Sequence, residues 1–263
     1  MVRVRGPATV LGEGQRLATE TVGHGELIDQ AVNTAQDWLS GDRVNAATNG
    51  ELVLPDGTTG AAPAPTGGTH RRPVLLTWQG PGDRRLESAR LVLGANRMRA
   101  LGRVIAGPTG TQPGHYASYE LAVDDSGVVN RLSVFSTTAE DERQVTLSRS
   151  GEGVWLVEHN QGVAAQRAQF DGALDVDVLD CVLFNALPIR RLGLHREPQE
   201  VELAVVYVSL PELTVELRKQ TYRTVSVHEH GAVVDYVDGD FRTEITVDVD
   251  GLVIDYPGYA RRI

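Results

Sequence analysis

Lysine is almost missing from this 263-residue chain: Lys219 is the only one, and arginine carries nearly all of the positive charge. A GC-rich genome accounts for that preference. Lysine and arginine together number 25 against 35 acidic residues, a formal net charge of -10. A phosphate-neutralising surface needs the opposite balance, so nonspecific nucleic-acid binding is excluded as the main activity. Cysteine is reduced to Cys181, which excludes an internal disulfide framework and a cysteine-built zinc site. No stretch reaches the apolar length of a membrane-spanning helix. The first residues, MVRVRGPATVLGEGQRLATE, have an early basic pair but not the apolar run of a signal peptide, and a cytoplasmic location is expected.

Catalytic signatures are missing as well. There is no serine-nucleophile motif, no HExxH pattern and no phosphate-binding glycine loop, since Gly12-Glu13-Gly14 and Gly151-Glu152-Gly153 lack a strand–helix context. The loop spacing and closing glutamate of an EF-hand are not found. His228-Glu229-His230 has the look of a metal clip but falls at a turn before Gly231, where solvated side chains are the better reading. No metal, no cofactor and no catalytic residue is therefore assigned, and a binding protein is favoured over an enzyme.

What the chain does contain divides near residue 72. Leu27, Ile28, Ala31, Val32, Ala35, Trp38 and Leu39 recur at three- and four-residue steps and predict one amphipathic helix over residues 26–40. That helix reads as packed on a protein surface, with a lid plugged by Trp38 as the sharper alternative. Residues 55–73, PDGTTGAAPAPTGGTHRRP, are a Gly/Pro/Ala-rich linker. Residues 1–72 thus form an N-terminal helical appendage, and 73–263 a second domain. From Val74 the apolar period changes to two. Strands are predicted at 86–93, 98–106, 116–123, 128–135, 145–148 and 154–157, and again at 201–210, 213–227, 232–237, 241–249 and 252–256. Short turns such as 124–127, Asp238-Gly239 and Asp250-Gly251 make neighbouring strands antiparallel. The expected fold is all-β: an antiparallel curved sheet forming a half-barrel or barrel. The second faces of 116–123 and 128–135 mix polar and apolar residues, which suits either a partly lined cavity or a half-exposed sheet face.

One stretch departs from the alternation. Residues 175–194, DVDVLDCVLFNALPIRRLGL, interleave Asp175, Asp177 and Asp180 with apolar side chains, then place Arg190 and Arg191 between Ile189 and Leu192. So much charge among so many aliphatics implies a segment that enters an interior with its charges partnered. If the two arginines lie on a strand, one points inward. The inward arginine either grips a ligand headgroup or pairs with Asp175, Asp177 or Asp250; the pairing is favoured. Asp175 and Asp177, two apart, share a strand face and allow an acid–base pair as in glycosidases.

The run from Asp175 through Asn185-Ala186-Leu187-Pro188-Ile189-Arg190-Arg191-Leu192 resembles the hallmark of a bacterial family, once catalogued as a domain of unknown function and now labelled the putative glycolipid-binding family. Further pieces follow in the family's order: Thr77-Trp78, Leu86-Glu87, 151–155, 211–213, Gln220-Thr221-Tyr222, 247–253 and Tyr256-Pro257-Gly258. The resemblance spans about Leu76 to the C-terminus. Residues 181–184, CVLF, depart from the family's more proline- and threonine-rich approach. The resemblance implies a half-barrel like that of the bacterial lipoprotein carriers, and noncatalytic binding of a lipid or glycolipid in its groove. Asp175, Asp177, Asn185, Arg190, Arg191, Tyr222 and Tyr256 are the candidate ligand contacts. A hydrolase acting on a glycolipid through Asp175 and Asp177, and a protein-interaction module, are the alternatives. The oligomeric state stays open.

Overall fold

The computed structural model describes residues 72–160 and 165–263. The N-terminal appendage, with its expected helix over 26–40 and its linker, lies outside the described residues. Among the described residues there are fifteen strands. The first eight are β1 (Arg72–Gln79), β2 (Arg85–Leu93), β3 (Met98–Ala106), β4 (His115–Val123), β5 (Val129–Thr137), β6 (Glu142–Arg149), β7 (Trp155–His159) and β8 (Gln166–Ala168). After β9 (Asp175–Val178) and a short helix α1 (Ala186–Leu192) come β10 (Glu200–Val208), β11 (Val215–His228) and β12 (Gly231–Asp238). The chain closes with β13 (Phe241–Asp248), β14 (Val253–Tyr256) and β15 (Ala260–Arg262).

All fifteen strands join one sheet, in the order β8 down to β1 and then β15 down to β9. Each half is a meander of hairpins, and the two halves meet where β1 pairs antiparallel with β15. The expected antiparallel pairing holds at every step but the last, because β9 lies parallel to β10. The parallel pairing has a simple cause. Between β9 and β10 the chain inserts the whole central segment, long enough to cross over and return in the same direction. The sheet is not closed: β8 and β9 are its unpaired edges, which removes the full-barrel reading.

Connectivity forces the sheet to curl. Fifteen strands at about 4.8 Å spacing would span roughly 65 Å if flat. Yet only residues 169–174 separate β8 at one edge from β9 at the other, a tether of at most ~25 Å. The backbone N–H of Val129 on β5 donates to the carbonyl of Leu174 just before β9, at 3.1 Å. The concave side of the curl is the core. In β3 and β4 burial alternates residue by residue, with Met98, Ala100 and Val104, and Ala117, Tyr119 and Leu121, turned inward. Trp78 Nε1 ties β1 to β14 through the carbonyl of Val253 at 2.9 Å, and Trp155 Nε1 donates to the carbonyl of Ala173 at 3.1 Å.

The central segment lies on this inner face. After β9 the chain forms a single 3-10 turn, Val182–Asn185, and then α1, and every side chain from Val182 to Ile189 is buried. Arg190 and Arg191 are therefore helical and not on a strand. Pro188 falls in the first turn of α1, where its missing N–H leaves no hydrogen bond unmade. Gly193 ends the helix in the left-handed conformation (φ 70°), its N–H reaching back to the carbonyls of Arg190 and Ile189. Both arginines sit in the last turn, the favourable end of the helix dipole.

Sheet side chains pin this plug. Glu87, on the inner face of β2, accepts the Val182 N–H at 2.5 Å through one carboxyl oxygen and the Tyr119 hydroxyl at 2.6 Å through the other. Burial pushes its carboxyl up to about 7 against the pull of those hydrogen bonds. Phe184 packs edge-on against Tyr119, ring centroids 5.0 Å apart. Tyr119 can lie flat only because residue 102 is glycine: a Cβ there would stand 2.0 Å from the Tyr119 ring.

Candidate functional site

Residues 182–189 pack against the inner face of the sheet, and beside them opens a space smaller than a lipid-carrying groove. It is a cavity of about 220 Å³, partly open to solvent, between the end of β9 and the far half of the sheet. Such a space exceeds the ~150 Å³ that accommodates a benzene ring and falls short of the ~300–1,000 Å³ of sites for drug-sized ligands. One ring-sized moiety fits it.

The floor comes from the central segment: Asp177 and Val178 of β9, then Leu179, Cys181 and Asn185. The walls come from strand ends and turns: Tyr207 of β10, Arg218 of β11, Tyr236 and Asp238 of β12 and Phe241 of β13. Tyr256 and Tyr259 complete them at the β14–β15 turn. Convergence of these residues follows from the meander, because β12, β13 and β14 are consecutive neighbours in the sheet. The rings form one contiguous set. Tyr256 lies 4.6 Å from Tyr259, 6.0 Å from Tyr236 and 6.1 Å from Phe241, measured between centroids. The Arg85 guanidinium lies 4.1 Å from the Tyr259 centroid and pairs with Asp180, and the Tyr259 hydroxyl accepts the Asp180 N–H at 2.9 Å. The Tyr259 wall is thus fixed from behind.

The polar groups divide into spent and unspent. Asp177 accepts a hydrogen bond from Gln220 Nε2 at 2.7 Å. Gln220 Oε1 lies 3.1 Å from the Tyr222 hydroxyl, which is 3.3 Å from Asn185 Oδ1. That relay behind the cavity orients both Asp177 and Asn185 from buried residues. Arg218 donates to Glu216 at 2.7 Å, approaches Asp238 at 3.3 Å and stacks 3.4 Å over the Tyr207 ring. The hydroxyls of Tyr207, Tyr236 and Tyr256 have no hydrogen-bond partner among the described residues.

Burial pushes the Asp177 carboxyl up to about 7, and the charge of Asp238 adds to the rise against the hydrogen bond from Gln220. Burial likewise raises Tyr207, Tyr236 and Tyr256, with Asp177 the next contributor to each. The cavity therefore offers one carboxyl poised between its two forms, one carboxylate beside an arginine, and phenols that stay protonated as donors.

Of the seven expected ligand contacts, Asp177, Asn185 and Tyr256 line this cavity, and Tyr222 stands one hydrogen bond behind Asn185. Asp175, Arg190 and Arg191 do not line it. Arg191 forms a two-pronged pair with Asp175, at 2.5 Å and 3.3 Å, the carboxylate side chain only 1% exposed. Arg190 binds backbone instead, donating to the carbonyls of Asp250, Gly94 and Ala95. Held by Arg191, Asp175 is not free to share acid–base work with Asp177; the carboxylate facing Asp177 in the cavity is Asp238. Tyr207, Arg218, Tyr236, Asp238, Phe241 and Tyr259 escaped the sequence reading. They lie at strand ends and turns scattered from β10 to the β14–β15 turn, and only the sheet order brings them together. His228, Glu229 and His230 are exposed at the β11–β12 hairpin, and no cluster of three metal-ligating side chains occurs among the described residues. No described helix is long and apolar enough to cross a membrane.

The family described as Putative glycolipid-binding matches residues 75–262, a range that contains every residue of the cavity. A DUF1089 family protein from Pseudomonas aeruginosa, known from its crystal structure, is similar over 77% of this chain and 100% of its own, with 24% sequence identity and a TM-score of 0.55. At that identity the likeness shows a shared fold. No curated protein matches the chain.

Proposed function

Because the chain belongs to the family described as Putative glycolipid-binding, we propose that it binds a glycolipid without catalysis and that the sugar headgroup occupies the cavity walled by Tyr207, Tyr236 and Tyr256. The observation that carries this reading is the combination of ring-sized volume, aromatic walls and unspent polar groups in one place. A pyranose ring has an apolar C–H face that packs on tyrosine and phenylalanine rings, and hydroxyls at its rim that both donate and accept. Asp177, Asp238 and Asn185 supply acceptors, and three tyrosine hydroxyls supply donors. The half-barrel expected for acyl chains is consistent with a curled, unclosed sheet. Its concave face is packed by the protein's own residues 182–189, so the chains stay outside the cavity and add little to affinity.

Native mass spectrometry of the full-length protein tests this reading. A copurifying or added glycolipid is expected to be retained by the wild type and lost from Tyr256→Ala. Asp177→Asn, which keeps an amide oxygen as acceptor, is expected to weaken retention. Time-dependent release of free sugar that stops in Asp177→Asn would replace the binding reading with a hydrolase built on Asp177 and Asp238. No retention of any glycolipid by folded protein would remove both.

A further inference from the structure

The charges around the cavity do not balance. Among the described residues its lining holds two carboxylates, Asp177 on the floor and Asp238 in the wall, and one cation, Arg218. Hydrogen-bond register sets Asp177, Tyr207 and Glu216 in one row across β9, β10 and β11. Glu216 and Arg218, two apart on β11, share a face of that strand. Glu216 takes the larger share of Arg218, at 2.7 Å against 3.3 Å for Asp238. The next arginine, Arg85 behind Tyr259, is paired with Asp180. On the opposite face of β11–β13, Lys219 pairs with Glu202, and Arg223 and Arg242 pair with Asp235. Asp177, Asp238 and Glu216 therefore stand against Arg218 alone. Asp177 takes a hydrogen bond from Gln220 Nε2 at 2.7 Å, and a carboxylate has room for about four.

The walls suit a cation as well. Tyr207, Tyr236, Phe241 and Tyr256 bring aromatic rings to one space, and the faces of such rings attract positive charge. One ring already carries a cation: the Arg218 guanidinium lies 3.4 Å from the Tyr207 centroid. Its side chain is 35% exposed, so water can take the guanidinium when another cation replaces it. A neutral sugar leaves two carboxylates of like sign lining the same space, and the Asp238 charge already works against an ionised Asp177. An ammonium group relieves that repulsion and donates up to three hydrogen bonds. A carboxylate or phosphate on the headgroup would add to the repulsion. Resting on the headgroup reading and deepening it, we propose that the cavity selects a glycolipid whose sugar carries a free amino group. Its ammonium is held by Asp177 and Asp238 and against the tyrosine rings, in competition with Arg218.

Titration calorimetry of the full-length protein at low salt tests the proposal. It compares methyl glucosaminide, at a pH that keeps its amine protonated, with methyl glucoside and methyl glucuronide. A charge-assisted hydrogen bond is roughly twice as strong as a neutral one, so the amino glycoside is expected to bind about tenfold more tightly than the neutral one. The glucuronide should bind more weakly than either. The ratio of the first two affinities is the readout. It should fall towards one in Asp177→Asn and in Asp238→Asn, and rise in Arg218→Gln, which removes the competing cation. A residue that only shapes the cavity would change both affinities together and leave the ratio where it is. Melting temperatures check that the variants fold, and the Asp238 and Arg218 side chains are both partly exposed. Equal affinity for the amino and neutral glycosides, preference for the glucuronide, or a ratio unchanged in all three variants would each overturn this inference and leave the headgroup reading standing. Ethanolamine, an ammonium without a sugar ring, binding as tightly as the glucosaminide would overturn it too. No binding of any glycoside by folded protein would remove the headgroup reading, and this inference with it.

Discussion

Replacing Arg191 by methionine strips Asp175 of its partner while keeping most of the apolar stem that packs near Gly127. The Asp175 side chain is 1% exposed, so water cannot take the arginine's place. Burial already raises the Asp175 carboxyl against the opposing pull of two Arg191 hydrogen bonds. Without them only the burial remains, and the carboxyl takes up a proton. Protonating a group whose unfolded pKa is about 3.9 costs about 4 kcal/mol at pH 7, at 1.36 kcal/mol per unit, and about 1.5 kcal/mol at pH 5. The larger figure agrees with the ~3–5 kcal/mol seen when one member of a buried pair is removed. For a domain of this size it corresponds to a fall of roughly 8–16 °C in melting temperature. The folded-state value is raised, so the neutral form is the one the fold prefers. The gap between variant and wild type is therefore small near pH 4 and widens as pH rises. Scanning calorimetry from pH 4 to 8 measures it, and Asp175→Asn/Arg191→Met should recover much of the loss at pH 7. A variant that melts within about 2 °C of wild type at pH 7, or a gap that does not change with pH, would falsify the buried-pair account.

Arg190→Ala should behave differently. Its hydrogen-bond acceptors are carbonyls, with the Asp250 and Asp248 charges adding a weaker pull, so denaturant titrations at pH 7 should show a loss of about 1.5–3 kcal/mol, and a variant as stable as wild type would contradict it. Asp177, raised to about 7 by burial and by Asp238, contributes stability that is fully present below about pH 4 and is lost as pH rises through 7. Asp177→Asn should flatten that part of the stability profile, and an unchanged slope would show that Asp177 is not the buried acid. Gly102→Ala places a methyl 2.0 Å from the Tyr119 ring and should cost about 3 kcal/mol. In a double-mutant cycle Tyr119→Ala should be markedly less harmful in the Gly102→Ala background, and simple additivity would contradict the clash.

The meander was legible because period two and paired glycine turns are local signals. The alternation of β3 and β4 is the one the sequence predicts. In β5 it is not. A register shift opposite Ala122 and Val123 brings Val129 onto the buried face together with Leu132 and Val134, and a bulge of that kind leaves no mark in an apolar pattern. The central segment was visible as an interior one, and the pairing of an arginine with Asp175 followed from the cost of lone buried charge. Its helix was not visible, since residues 182–192 are too few for a helical period to declare itself and tertiary packing decides their conformation. Lack of closure was equally hidden, because whether β8 and β9 pair depends on the tether between them and on the plug that fills the concave face. At the site, Asp177, Asn185 and Tyr256 came from stretches dense in unusual residues. Tyr207, Tyr236 and Asp238 lie in ordinary strands, and only the sheet order brings them together.

The central claim is that recognition is made by a headgroup in a ring-sized cavity and not by chains in a groove. Titration calorimetry with alkyl glycosides of one sugar, with chain lengths increased stepwise below their micellar concentrations, tests it directly. A saturable site near one per protein is predicted, with affinity nearly independent of chain length and lost in Tyr256→Ala. Affinity that climbs by about 0.8 kcal/mol per methylene, with little dependence on the sugar or on Tyr256, would place the ligand in a chain-binding groove and contradict the account.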